Sequence, residues 1–156
     1  MLIRFTRLTN DRHRFEIVRD DRTSEAHELE TRSTLAHDLA HYAVEVEGGL
    51  RHSFYGRLAG GMTYAELTAM PPASPEALET ERVVVMLQDA FKTADRGAPD
   101  PERTLVRLVS VFGAVGDERP EWLTVDLLAR MIERLRRVQG QWRATSFHAT
   151  LELKFP

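Results

Sequence analysis

The 156-residue chain has the length of a single domain, with 42% apolar and 29% charged residues and a net charge of −3; these are the proportions of a folded globule, not of a disordered segment. It contains no cysteine, which excludes a disulfide framework, thiol catalysis and thiolate-held zinc or iron–sulfur centres, so any metal must rest on His, Asp or Glu. The acidic balance supplies no basic footprint, and nucleic acid is not an expected partner.

The first segment, Met1-Leu2-Ile3-Arg4-Phe5-Thr6-Arg7, alternates apolar and polar residues. It lacks the basic-then-apolar order of a secretory signal, and with Phe15 and Ile17 alternating beyond a Thr9-Asn10-Asp11 turn it predicts a β-hairpin over the first twenty residues. A third strand is weaker, from Ala26 to Glu30. Helices are expected at about 34–47, stopped by Gly48-Gly49, and at about 50–59, stopped by Gly60-Gly61. Thr63-Tyr64-Ala65-Glu66 is a capping-box pattern. Ser74-Pro75 and Asp100-Pro101 each place proline at a first helical position and predict helices to about Ala94 and Val115. A last helix, about 124–139, carries Leu128, Met131, Ile132, Leu135 and Val138 at helical spacing. Phe147, Ala149, Leu151, Leu153 and Phe155 then alternate with polar residues as a C-terminal strand. The expected fold is one α+β domain spanning 1–156, a small antiparallel sheet of hairpin plus C-terminal strand against four or five helices. The longest apolar run, Val83 to Leu87, is too short to cross a bilayer, and cytoplasmic residence is the expectation.

The chemistry concentrates in His37-Asp38-Leu39-Ala40-His41-Tyr42-Ala43-Val44-Glu45. At about 100° per residue, Leu35, Leu39, Tyr42, Ala43 and Val46 form one stripe, while His37, Asp38, His41 and Glu45 share the opposite face. Two histidines at i and i+4 stand one above the other and can chelate one divalent ion, zinc or similar, through neutral imidazoles. Asp38 and Glu45 are the candidate acid–base groups. Glu45 lies about 12 Å along the axis from His37, too far to share its ion, so orienting an imidazole is its alternative role. A third ligand must come from elsewhere, with His52, His27, Glu28 and Glu30 as candidates.

The stretch from Thr31 to Glu45 resembles the hallmark of a family of small uncharacterised bacterial proteins with a TRSxLxHDLxHxxVE pattern. That resemblance extends to a Trp near position 142 and the alternating C-terminal strand, and implies an arrangement but no activity. His37-Asp38-x-x-His41 is also similar to the HDxxH zinc-ligand motif of the ubiquinone-biosynthesis metalloprotein family. There the final acid lies further downstream, and this chain has Ser53 at the position that spacing selects.

Other features have plainer explanations. Arg130, Arg134 and Arg137 read as a solvated helix face, the double glycines as helix stops, Gly56 as a point of close helix packing, and His13 and His148 as surface residues on strands. Trp122, Trp142, Phe54 and Tyr55 are expected core or interface aromatics. Two functions stand side by side as expectations: a metal-binding protein of hydrolase-like type acting on a small-molecule ligand, or a non-enzymatic binding module, a candidate homodimer, that presents the polar helix face to a partner.

Overall fold

A computed structural model describes residues 1–72, 74–94 and 97–156. Strands β1 (Leu2–Arg7), β2 (Arg12–Val18), β3 (Ser24–Glu30) and β4 (Thr150–Lys154) form one antiparallel sheet in the order β3-β2-β1-β4. Both hairpin strands lie where the alternation places them, the C-terminal strand is shorter than its alternation at the N-terminal end, and the weak third strand completes the sheet at the β2 edge. One pleat face is apolar: Ile3, Phe5, Phe15, Ile17, Leu151 and Leu153 are buried. The opposite face carries cross-strand polar pairs, including Arg4–Glu152 at 2.8 Å and Arg12–Glu28 at 2.9 Å. A sheet with one apolar face requires a cover, and the helices supply it.

A single π-helical turn, Thr31–Leu35, leads from β3 into α1 (Ala36–Gly48), followed by α2 (Phe54–Ala59), α3 (Tyr64–Ala69), α4 (Pro75–Thr93), α5 (Pro101–Ala114) and α6 (Val125–Ala144). The capping logic holds at the starts of α3, α4, α5 and α6. Thr63 and Glu66 form the reciprocal box, and the side chains of Ser74, Asp100 and Thr124 each accept from the third helical amide. Gly49, at φ 63°, ends α1 in the left-handed conformation that glycine adopts without penalty.

Four local expectations are corrected. His13 is not on a polar face: it shares the parity of Phe15 and Ile17, so the period of two turns it inward, where it is fully buried beside Phe5 and Trp142. The last helix does not stop before Gly140 but runs to Ala144, because Trp142 buries against that same layer while Arg7 stacks on its ring and donates to its carbonyl. Phe147 and His148 are not in the C-terminal strand. His148 adopts φ 63° in a turn, which breaks the alternation and leaves Phe147 exposed, and β4 starts at Thr150. The second helix begins at Phe54, not Leu50, so Leu50 is buried from the preceding turn.

Helix α1 is the centre of the molecule. It packs on α6 and α4 and also meets α2, and Tyr42 Oη donates to the carbonyl of Lys154 on β4. A helix covered on several sides has no solvated face, so Asp38, His41 and Glu45 are buried together with Leu39, Tyr42 and Ala43. Asp38, His41 and Glu45 are therefore not turned to solvent: α2 and α4 close over them, while His37 stays partly exposed. No helix among the described residues is long and apolar enough to cross a membrane.

Candidate metal centre

The one-turn spacing does bring the two imidazoles together. His37 Nε2 and His41 Nε2 are 3.1 Å apart, and each ring nitrogen also faces a carboxylate oxygen of Glu81, at 3.6 Å from His37 and 3.1 Å from His41. Glu81 lies on α4, forty residues from His41 in sequence. The proposed third ligands are elsewhere. His27 stacks on Tyr64 and bonds Glu25, His52 is exposed, Glu28 pairs with Arg12, and Glu30 accepts from Ser33. Glu81 escaped the sequence reading because no motif links it to α1. Its trace is that it and Gln88, seven residues apart, are polar and flank the buried stripe of Thr80, Val84 and Leu87, where two turns of helix put both on one side.

Each imidazole is oriented from behind. His41 Nδ1 lies 3.0 Å from Glu45 Oε1, and His37 Nδ1 lies 3.3 Å from Gln88 Oε1. Ionised carboxylate and amide oxygens only accept, so both Nδ1 atoms carry the hydrogen. In the neutral rings this leaves a lone pair on each Nε2, and both aim at the same place. Glu45 is in turn held by the amide of Gly56, which donates to Oε2 at 3.0 Å. A β-carbon on Gly56 would come within 2.3 Å of the Arg51 carbonyl oxygen, so the turn of backbone that leads into α2 requires glycine there. Glu45 is almost wholly sealed and does not border the cavity described below. Of the two roles expected for it, its contact with His41 Nδ1 matches that of orienting an imidazole.

The electrostatics divide the cluster. Burial by itself would depress His41, but the Glu45 and Glu81 carboxylates on its two nitrogens override that and raise its pKa to about 9. His37 is held below the ordinary imidazole value by burial and by the His41 charge. Glu81 is pulled down by its hydrogen bond from His41. Asp38, buried beside them, is pushed up to about 7 because burial opposes its charge; its Oδ2 has no hydrogen-bond partner. His37, Asp38, His41 and Glu81 all line a cavity of about 420 Å³, whose other walls include Phe54, Arg57, Tyr64 and Leu67.

Do these residues fit a metal ion? Four-coordinate zinc at about 2.0–2.1 Å per ligand separates neighbouring donors by about 3.3 Å. The two imidazole nitrogens stand 3.1 Å apart, Glu81 Oε2 lies 3.1 Å from His41 and Glu81 Oε1 3.6 Å from His37, and one donor atom from each of the three residues falls within 4.8 Å of the other two. Two imidazoles and a carboxylate also form a donor set that zinc-type ions accept, with a fourth position left for solvent or substrate. Of the α6 arginines, Arg134 and Arg130 pair with Glu47, and Arg136 pairs with Glu133. Compared with protein-family models, curated proteins and solved structures, the chain matches none.

Proposed function

We propose that this chain binds one divalent metal ion through His37 Nε2, His41 Nε2 and a Glu81 carboxylate oxygen, and that the ion acts on a small molecule held in the adjoining cavity. The observation that carries this reading is the convergence of three donor atoms at metal-ligand spacing while both opposite imidazole nitrogens are occupied by acceptors. An ion pair accounts for Glu81 against His41; the second imidazole, its Nε2 3.1 Å from that of the first, adds a further donor atom at the same point. Glu45 and Gln88 are the orienting partners that ligating histidines ordinarily have.

A bound ion would supply a Lewis acid able to polarise a carbonyl or phosphoryl oxygen and to acidify water, which is the chemistry of a metal-dependent hydrolase or a related enzyme. The chain's own residues support that chemistry in separate ways. His37 and His41 fix the direction from which a substrate oxygen can approach. Phe54 and Leu67 exclude water from part of the wall. Asp38, lining the same space with a carboxyl that titrates near neutrality, is the group placed to take or return a proton. The family resemblance of the Thr31–Glu45 segment is consistent with this reading and adds no activity to it.

Elemental analysis of protein purified without a histidine tag tests the proposal. The wild type is expected to retain near-stoichiometric zinc, manganese or a similar ion after dialysis, or to take it up when offered. His37→Ala, His41→Ala and Glu81→Ala should each reduce it to background. Metal-free wild type with no thermal shift on adding zinc, manganese or nickel would leave the cluster as an ion-pair centre around a protonated His41.

A further inference from the structure

Two groups on the cavity wall lack a partner among the described residues. Of the described arginines, six are neither sealed nor fully exposed: Arg4, Arg7, Arg19, Arg57, Arg82 and Arg134. Five of them are engaged. Arg4 holds Glu152, Arg7 the Trp142 carbonyl, Arg19 Glu25 and two carbonyls, Arg82 Asp117, and Arg134 Glu47. Among the described residues, Arg57 forms no side-chain hydrogen bond or ion pair, and it lines the cavity. Asp38 lines it too, is 5% exposed and has an unpartnered Oδ2. The two opposite charges share one cavity, yet no ion pair joins them.

We propose that the cavity receives a small molecule that bears both an oxyanion and an N–H or O–H donor, the oxyanion held by Arg57 and the donor by the Asp38 carboxyl. This rests on the same site as the metal centre and names what sits beside the ion. A half-buried guanidinium is a five-donor fork suited to a carboxylate or a phosphate. A buried carboxyl oxygen without a donor loses hydrogen-bonding free energy that a ligand can restore. Both are satisfied at once only by a ligand that spans the cavity. At about 420 Å³ the space falls near the lower end of small-molecule pockets, which favours a compact metabolite over a polymer. The mixed wall fits a ligand with one short apolar portion: Phe54, Leu67 and Met70 line it together with the polar groups Ser53, Thr68 and Tyr64.

The test is calorimetric titration of untagged protein, both chelator-treated and zinc-loaded, with three probes. Glycylglycine carries a carboxylate and N–H donors, glycerol 3-phosphate carries a phosphate and hydroxyls, and glycylglycinamide lacks the oxyanion. At least one oxyanion probe should saturate the wild type while the amide does not, and the tighter of the two identifies the oxyanion as carboxylate or phosphate. Arg57→Gln should weaken that probe about tenfold or more, in line with the loss of one charged hydrogen bond, and Asp38→Ala should weaken it as well. If Arg57→Gln does not fold by circular dichroism, Arg57→Lys decides, with several-fold weakening expected because the charge remains and the fork is lost. Failure of both oxyanion probes to saturate, equal binding of the amide, or unchanged affinity in the folded arginine variant would overturn the assignment. Zinc content of the same samples keeps the two ideas apart: metal without probe binding removes only this ligand, and probe binding without metal removes only the metal centre.

Discussion

His41 and His13 are both sealed from water by the same fold, and the difference between them shows what burial does alone and what it does with partners. His13 sits among Phe5 and Trp142. Thr31 Oγ1 lies 3.2 Å from its Nδ1, its Nε2 has no partner, and no carboxylate approaches it closely enough to form an ion pair. Burial therefore pushes it down to about 4, and it stays neutral. His41 is as deeply placed, but carboxylates stand at both nitrogens and raise it to about 9. A neutral imidazole in an apolar layer packs as a flat, polar-edged aromatic. An imidazole between two carboxylates, with a second imidazole at its free nitrogen, is a place where a proton or a cation belongs.

The largest way to break this contrast is to remove the carboxylate behind His41. Glu45→Ala leaves the Gly56 amide and His41 Nδ1 without their acceptor in a sealed site, and stability should fall by about 3–5 kcal/mol, the usual cost of orphaning one member of a buried pair. Urea unfolding measures it, and Glu45→Gln, which keeps an acceptor oxygen, should lose less. A wild-type-like midpoint for Glu45→Ala would show that Glu45 does not hold the cluster.

A smaller effect sharpens the other side. Because the folded state holds His13 at about 4 against an ordinary 6.5, the unfolded chain binds more protons in that interval. His13 therefore costs nothing above pH 6.5 and removes stability as the pH falls from 6.5 toward 4, about 3 kcal/mol in all. Asp38 runs the opposite way over much of the same range, since a carboxyl raised to about 7 gives the folded state the extra proton as the pH falls. His41 acts at the other end: its ion pairs contribute fully below pH 6.5, and that contribution is lost as the pH rises through about 9. The measurement is thus a difference, unfolding free energy of wild type minus His13→Leu at pH 7 and pH 4.5. The variant should be the less acid-sensitive of the two, and parallel profiles would mean that His13 is not held neutral.

The two histidines also mark how far the sequence could be read. Alternation and capping residues locate the sheet and the helix starts because those signals are local: Ser74-Pro75, Asp100-Pro101 and the Thr63–Glu66 box each act within one turn. The convergence of His37 and His41 is local as well, since i and i+4 meet on any helix. What lies beyond one element is not legible in this way. That α2 and α4 cover the polar side of α1, that Glu81 reaches both imidazoles, and that Arg57 lines the cavity with no side-chain partner among the described residues are all consequences of tertiary packing. His13 is a different case. Its parity with Phe15 and Ile17 already points inward, and the polar character of the residue type outweighed the period that the physics obeys.

The contrast is finally sharpened by Gln88, the neutral partner where His41 has a carboxylate. Its Oε1 accepts from His37 Nδ1 at 3.3 Å, and the residue borders a second cavity of about 630 Å³ on its other side. Truncating it therefore removes little packing, and a loss of metal affinity in the variant would report on orientation. Partners of this kind typically contribute 10–100-fold to metal affinity, so Gln88→Ala should weaken metal binding by about 10–100-fold with little change in urea midpoint. Gln88→Glu tests the same bond with a charge: the acceptor is kept, the His37 ring becomes a stronger donor to the ion, and affinity should be at least that of wild type. If Gln88→Ala binds metal as tightly as wild type, His37 does not ligate through a ring fixed by this bond, and the resemblance between the two imidazoles of the cluster would be one of proximity alone.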